Sequence, residues 1–218
     1  MITTPQKNID EDMVLHVAYV MSSLLDADYD GKIDNSRVEE NMLHYEAHIA
    51  IFQAENNAAH EHYNENIWGS NASHYSKNLY LLEAWISKHT MGVLKYDRTL
   101  EICLKQLYQI GFVTGFDKFG HDWDASPTMG HFDKFSQAMN EARGSKNAFP
   151  LNGQDNVEYP QNATYRPVDP TCNYQCQSSE YFVYVAMAMM GTLYDSRTVD
   201  SRLYNTYHLQ TTLLYINF

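Results

Sequence analysis

The sequence predicts a mainly α-helical, bundle-like fold that forms one domain over residues 1–218. Seven segments carry apolar residues three or four positions apart, which is the period of an amphipathic helix. No segment shows the alternation of apolar and polar residues that is typical of a half-buried strand. Polar and proline-containing stretches separate the helices, and residues 144–177 are expected to form a long irregular loop with several prolines.

The first two helices flank an acidic loop, so residues 11–54 are predicted to form a helix–calcium loop–helix unit. Apolar residues keep helical spacing over residues 13–24, after acidic residues that suit a helix N-terminus. The same spacing resumes over residues 38–52, which predicts a second helix with Asn35 or Ser36 as its cap.

Five further helices are predicted in the rest of the chain, after a polar surface loop. The loop covers residues 54–78, and the helices cover residues 79–89, 97 or 99 to 110, 132–142, 178–194 and 196–214. The helix near residue 100 is expected to bury one apolar stripe, which consists of Leu100, Cys103, Leu104 and Leu107. Cys103 is therefore interpreted as a packing residue and not as a nucleophile.

The acidic loop, LLDADYDGKID over residues 24–34, has the spacing of an EF-hand calcium loop. Five ligands occupy loop positions one, three, five, seven and nine: the carboxylates of Asp26, Asp28, Asp30 and Asp34 and the carbonyl of Lys32. Gly31 takes the sixth position, where the chain must turn sharply. Oxygen ligands in this pattern predict bound Ca²⁺; the alternative is a solvated acidic turn.

The loop departs from the EF-hand at position twelve, where Arg37 replaces the expected bidentate glutamate. Its ending is closer to the DxDxDGxxD loops of extracellular calcium modules, in which the ninth-position aspartate helps to close the ligand shell. Because the sequence contains one such loop, we interpret the ion as a structural brace between two helices and not as the trigger of a sensor.

A second metal is the less favoured hypothesis. His44 and His48 lie one helical turn apart on one face of the predicted second helix, a spacing that can chelate Zn²⁺ or Cu²⁺. His60 and His62 follow in the predicted loop. The alternative is that these are surface histidines brought together by chance, and no HExxH motif is present.

Charge and hydropathy exclude two classes of partner. The formal net charge of -12 argues against binding to nucleic acid or to an anionic membrane surface, since both require basic patches. No stretch reaches the roughly 18 apolar residues that a membrane span needs. No partner protein, small-molecule ligand or catalytic residue is indicated by the sequence.

Three observations favour secretion, with any signal peptide removed from the chain. Asn71 and Asn162 begin the glycosylation sequons NAS and NAT. Cys172 and Cys176 are close enough to form a small disulfide, which would leave Cys103 as a thiol. A calcium loop of ordinary affinity would also be filled permanently in the millimolar calcium of extracellular fluid.

Four strings, in the same order, resemble a family of uncharacterised extracellular proteins. They are LLDADYDGKID, YDRTLEICLKQL, AMNEARGSKNAFP and TCNYQCQSSEYFVYVAMAMMG, and they extend from about residue 14 to residue 192. The family patterns are LLDxDxDGxxD, FDxTLEEVLH, AMDxARGG and TCDYxCxxTEYxYW. The resemblance implies an extracellular context and the pairing of Cys172 with Cys176, but no reaction.

The chain departs from that family at the second string. The family pattern E-E-x-x-H would offer two carboxylates and an imidazole on one helical face, a plausible metal or acid–base set. Here Glu101 keeps the first place, while Ile102 and Lys105 replace the other two. We therefore expect an ion pair between Glu101 and Lys105, at i and i+4, and not a catalytic site.

The favoured function is a secreted calcium-binding protein with a binding or structural role, in which calcium stabilises the fold. The alternative is a metal-dependent hydrolase or another metalloenzyme, with ligands from among the four clustered histidines His44, His48, His60 and His62.

Overall fold

The computed structural model describes residues 2–4, 9–52, 76–80, 98–113, 134–144, 159–161, 163–167, 172 and 174–190. The chain divides into two compact units, Met1–Asp117 and Lys118–Phe218. The predicted extent of one domain, residues 1–218, stays a prediction. Within the described parts of the chain, no helix combines the length and the apolar character that a membrane span requires.

The described residues are mainly helical, as the sequence predicts, but they also form a small sheet. The N-terminal unit contains β1 (Ile2–Thr3), α1 (Glu11–Leu25), α2 (Ser36–His44), β2 (His48–Phe52), β3 (Ser76–Tyr80), α3 (Thr99–Gln106) and a π-helix (Leu107–Val113). The C-terminal unit contains α4 (Lys134–Ala142) and α5 (Tyr174–Met189).

Helix α1 contributes an apolar face to the core of the N-terminal unit. Asp10 caps it by accepting a hydrogen bond from the backbone N–H of Asp12, at 3.0 Å. Met13 and Val17 are fully buried, and they pack with apolar residues of β2 and α3. The predicted apolar face of residues 13–24 is confirmed, because its other members pack partly buried against the same cluster.

Helix α2 ends at His44, so the predicted continuation of this helix to residue 52 is wrong. The backbone N–H of Glu46 donates to the carbonyl of Leu43, and that of Ala47 donates to the carbonyl of Met42. Glu46 has φ +51°, and this pair of bonds around a left-handed residue is the Schellman helix ending. Glycine usually occupies that position. Because a glutamate stands there instead, the sequence does not signal that the helix ends.

Strand β2 follows directly and is the centre of a three-stranded parallel sheet, in the order β1–β2–β3. The sequence predicted no strand here because four consecutive residues of β2 are buried. Buried parallel strands carry continuous apolar runs instead of alternating ones, and such runs also match a helical period over a few residues. Strand β3 likewise corrects two predictions, since residues 76–78 were assigned to a loop and residues 79–80 to a helix.

Helix α3 begins at Thr99, as predicted, and it is more deeply buried than one stripe requires. Of the predicted stripe, Cys103, Leu104 and Leu107 are buried and Leu100 is only partly buried, while Glu101 and Ile102 are buried in addition. The helix continues as the π-helix, which contains Gly111 instead of stopping before it. The amide of Asn41 on α2 donates to the carbonyl of Gly111 at 2.8 Å and so ties the two helices together.

In the C-terminal unit, a segment of irregular chain packs against the end of α4. The backbone N–H groups of Thr164 and Tyr165 donate to the carbonyl of Ala142. Tyr165 is fully buried, and it packs in one apolar cluster with Met139 and Tyr184. Helix α5 begins at Tyr174, so the last four residues of the predicted 144–177 loop are helical. The predicted helix over residues 196–214 lies outside the described residues.

Candidate metal site in the acidic loop

The acidic loop is closed at its base by backbone hydrogen bonds. The N–H of Asp26 donates to the carbonyl of Ser22 at 2.9 Å, which makes Asp26 the last residue of the α1 ladder. The N–H of Asp34 donates to the carbonyl of Leu25 at 2.9 Å, so the two ends of the loop are adjacent. Asn35 then caps α2 with its side chain, as predicted. The helices therefore fix where the loop starts and where it ends.

Inside the loop, carboxylates organise the backbone. The two oxygens of Asp26 accept from the N–H groups of Asp30 and Gly31, at 3.1 and 2.9 Å. One oxygen of Asp34 accepts from the N–H of Ala27 at 2.9 Å. Tyr29 and Gly31 have φ of +59° and +82°, and these left-handed residues turn the chain back on itself. Gly31 thus has the conformation that its predicted loop position requires.

Three of the five predicted ligands meet. One carboxylate oxygen from each of Asp26, Asp28 and Asp34 lies within 4.8 Å of the other two. Asp26 is partly buried, and Asp28 and Asp34 are exposed. Like charges at this spacing repel one another, and a cation between them would remove the repulsion. The arrangement is an exposed acidic cluster able to hold a metal ion such as calcium.

Asp30 lies outside this cluster. One of its oxygens accepts from the N–H of Lys32 at 2.8 Å, and the other lies 3.7 Å from the Lys32 Nζ. Both side chains are well exposed, so this ion pair is weak and can be broken at little cost. Ligation by Asp30 and by the Lys32 carbonyl therefore stays a prediction.

The predicted pairing of His44 and His48 on one helical face is wrong. His44 is the last residue of α2, and His48 is the first residue of β2, beyond the Schellman ending. The His44 ring contacts Tyr45 edge to face, while Nδ1 of His48 lies 2.9 Å from the carbonyl oxygen of Glu46. Among the described residues, neither histidine belongs to a group of three or more metal-ligating side chains.

His60, His62, Asn71 and Asn162 lie outside the described residues. The cysteines are described. The Sγ atoms of Cys172 and Cys176 are 1.93 Å apart and their Cα atoms 5.1 Å apart, a pairing that matches a disulfide. Cys103 is a buried thiol, as the apolar helical face predicted.

Glu101 takes part in a buried ion-pair network. Its Oε1 lies 2.6 Å from the Nζ of Lys105, which confirms the expected i, i+4 pair. Arg98 contacts both carboxylate oxygens, at 3.2 and 3.3 Å, and this second partner was missed although i, i+3 spacing signals it. Burial raises the pKa of Glu101, but the charges and hydrogen bonds of Lys105 and Arg98 outweigh burial and lower it. A carboxylate held in this way stays ionised and is poorly suited to act as a base.

A cleft of about 260 Å³ lies next to the base of the acidic loop. Leu25, Met42, Ile49 and Gln106 contribute to its mainly apolar wall, and His48 is also part of the wall. The cleft therefore places a mainly apolar surface beside the last turn of α1.

No protein-family model, no curated protein and no solved structure matches this chain. Membership of the extracellular family that the four strings resemble therefore stays an expectation.

Proposed function

We propose that this chain is a secreted calcium-binding protein with a binding or structural role, in which calcium braces helices α1 and α2. The observation that carries the proposal is the convergence of three carboxylates, from Asp26, Asp28 and Asp34, within 4.8 Å of one another. They come from the two ends and the middle of one loop between two helices. A cation bound there would link residues that the chain alone holds only by hydrogen bonds.

The ligand chemistry favours calcium over transition metals. Every side-chain ligand in the cluster is a carboxylate, and hard cations prefer oxygen, whereas zinc and copper sites draw on imidazole and thiolate. Mg²⁺ requires near-ideal octahedral geometry and gives up its water reluctantly. Calcium accepts irregular shells of six to eight oxygens, which suits an exposed loop that leaves room for water or for a carbonyl such as that of Lys32.

The packing of the flanking helices supports a structural role. Met13 and Val17 of α1 are buried in the main apolar cluster of the N-terminal unit. Val38 of α2 is buried as well, with Asn41 bonded to the π-helix. A sensor must change the angle between its two helices when calcium binds, and both helices here are committed to a core. The ion is therefore expected to stabilise this arrangement instead of switching it.

Secretion is part of the proposal and rests on separate grounds. The cysteine pair Cys172–Cys176 would persist as a disulfide in an oxidising compartment. Two sequons at Asn71 and Asn162 would be glycosylated there. Expression in a secreting eukaryotic cell, followed by mass analysis with and without glycosidase, tests this part independently of calcium.

Calcium affinity measured by calorimetry on the chelator-treated chain tests the main claim. Asp28→Asn removes one charge from the cluster and should weaken binding about tenfold or more, because ligand charge tunes calcium affinity over several decades. Glu40→Gln is the matched control, since it removes an exposed carboxylate just beyond the loop and should leave the affinity unchanged. Calcium binding that is absent in the parent, or equal in Asp28→Asn, would contradict the proposal.

The alternative of a metalloenzyme grouped His44 with His48 on one helical face. The described residues do not support that grouping, because His44 ends α2 and His48 begins β2. Metal analysis of the purified protein separates the two functions. Calcium alone agrees with the brace, and stoichiometric zinc or copper would contradict it.

A further inference from the structure

The C-terminal unit contains a fully buried arginine. Arg143 follows the last residue of α4, and its backbone N–H still donates to the carbonyl of Met139 at 2.9 Å. Its side chain is 0% exposed. Its three guanidinium nitrogens, Nε, Nη1 and Nη2, have no hydrogen-bond acceptor within the described parts of the chain.

This state is costly. Arginine stays protonated in proteins, so burial removes water from a full positive charge and from five N–H donors. Proteins almost always pair a buried charge, because a buried donor without an acceptor loses the hydrogen bonds it had in water. A second arginine nearby shows the usual solution, since Arg166 donates to the backbone carbonyls of Ala163, Pro160 and Gln161.

Two aromatic rings flank the Arg143 guanidinium. Its Cζ lies 5.7 Å from the ring centre of Tyr159 and 5.9 Å from that of Tyr174. Ring faces attract a cation, but they are weak acceptors and leave the in-plane N–H donors of the guanidinium unused. The rings thus hold the charge in place without satisfying its hydrogen bonds.

Other buried polar atoms lie on the same two helices. Asn140 stands three residues before Arg143 on α4, and Gln177 stands three residues after Tyr174 on α5, so each pair shares a helix face. Among the described residues, no donor reaches Oδ1 of Asn140 or Oε1 of Gln177. The interior of this unit therefore contains polar groups beyond those that its own contacts satisfy.

We propose that Arg143 anchors a binding site for a small organic carboxylate. The planar fork of a guanidinium matches the two oxygens of a carboxylate, which would accept two parallel hydrogen bonds. The rings of Tyr159 and Tyr174 would contact the apolar part of the same molecule. A single unpaired guanidinium suits an anion of one charge better than a phosphate of about two.

Tyr159 is the residue that must move for the carboxylate to reach Arg143. It is partly buried and lies in irregular chain before Pro160, whereas Tyr174 is 5% exposed and begins a long helix. Arg143 itself is fully buried, so a carboxylate reaches it only if a neighbouring group moves.

The test is a titration of the full chain with sodium benzoate, sodium acetate, sodium phosphate and sodium sulfate, each at constant ionic strength set with sodium chloride. Binding is followed by calorimetry and by two-dimensional NMR. Arg143→Met removes the charge at similar length and should fold, since it also removes the cost of an unpaired buried cation. Arg143→Lys keeps the charge but not the fork. Arg37→Met, at an exposed arginine, controls for the loss of one cation.

We expect saturable binding of benzoate to the parent and to Arg37→Met, at least tenfold weaker binding to Arg143→Met, and intermediate binding to Arg143→Lys. Tyr159→Ala should speed association because it removes the moving ring. A parent that binds neither carboxylate overturns the proposal. Equal binding to Arg143→Met overturns it too, and tighter binding of phosphate or sulfate overturns the assignment to carboxylates.

Discussion

Glu101 is a carboxylate whose chemistry is set by its two cationic neighbours. Its side chain is 7% exposed, and that of Lys105 is 13% exposed. The pKa of Glu101 lies below its ordinary value of 4.5, because Lys105 and Arg98 outweigh the opposing effect of burial. A carboxyl with a lowered pKa stabilises the fold above its unfolded pKa, and this contribution disappears as the pH falls through the folded pKa.

Glu101→Gln should therefore destabilise the chain at pH 7 by roughly 3 kcal/mol, because two mostly buried cations lose their counter-charge. The difference from the parent should narrow as the pH falls below 4.5, where the unfolded chain binds the proton first, and should close as the pH passes the lower pKa of the folded state. Urea unfolding followed by circular dichroism at a series of pH values measures both effects.

Lys32→Met is the control for Glu101→Gln. It breaks the exposed pair with Asp30 and should change stability by no more than about 0.5 kcal/mol. Equal effects of the two substitutions would contradict the importance of burial for the Glu101 network.

The EF-hand prediction and the observed cluster differ in the role of Asp30. An EF-hand would use both carboxylates as ligands. Of these two residues, Asp28 belongs to the three-carboxylate cluster, whereas Asp30 accepts a hydrogen bond from the backbone N–H of Lys32. We expect Asp30→Asn to weaken calcium binding clearly less than Asp28→Asn does, in parallel calorimetric titrations. Equal losses would mean that Asp30 leaves Lys32 when the ion binds.

At the scale of elements, the contact between α2 and the π-helix depends on a glycine. A Cβ at Gly111 would lie 2.7 Å from Cγ1 of Val38, and Val38 is buried and stiff at χ1. Gly111→Ala would gain up to about 1 kcal/mol of helix propensity but force overpacking that costs about 1–3 kcal/mol. We expect a net loss of stability of about 1 kcal/mol in thermal or urea unfolding.

A double-mutant cycle identifies the cause of that loss. Val38→Ala removes the atom that Gly111→Ala would strike, so the double variant should be more stable than the sum of the two single effects predicts. Strict additivity would show that the clash with Val38 is not the reason.

The start of helix α5 is tied by Cys172 and Cys176. Mass spectrometry without reduction should find two hydrogen atoms missing from the native chain, and Cys103 should be alkylated slowly because it is buried. The amide of buried Gln177 donates to the Cys172 carbonyl at 2.9 Å, so a reduced chain still retains part of this anchor. Three rapidly alkylated thiols in the native protein would contradict the pairing.

The elements that the sequence predicts are those with local signals. Helix α1 has an apolar period and an aspartate cap, and α2 has the Asn35 cap, so both starts follow from neighbouring residues. Strand β2 could not be predicted, because its partners lie far away in sequence, at residues 2–3 and 76–80. Its buried run carries no alternation, and the helix before it ends on Glu46 instead of a glycine.

The same limit applies to the site. Alternating aspartates around Gly31 are a local pattern, and the structure brings Asp26, Asp28 and Asp34 together. Asp30 lies outside the cluster, and its carboxylate contacts Lys32 instead. This contact depends on side-chain conformations, which the spacing of the aspartates does not encode. The burial of Arg143 depends on packing against residues 159 and 174, which lie later in the chain. The string ARGS alone does not reveal this packing.

At the scale of the whole molecule, calcium is expected to act through mass action. A ligand that binds only the native state stabilises it by about 2.7 kcal/mol when its concentration is a hundred times Kd. For a chain of 218 residues, this corresponds to a rise in Tm of roughly 5–10 °C. Differential scanning fluorimetry with calcium, with magnesium at the same ionic strength and with excess chelator measures it. An identical Tm in calcium and in chelator would contradict a calcium brace.

The parallel sheet cannot be completed until its third strand has been synthesised. Strand β2 and its first neighbour β1 leave the ribosome before residues 76–80 do, so β2 waits for its second neighbour β3. At 5–20 residues per second this interval lasts roughly a few seconds. During that time β2 is an apolar strand with one unpaired edge, and another nascent chain on the same polysome can pair with that edge.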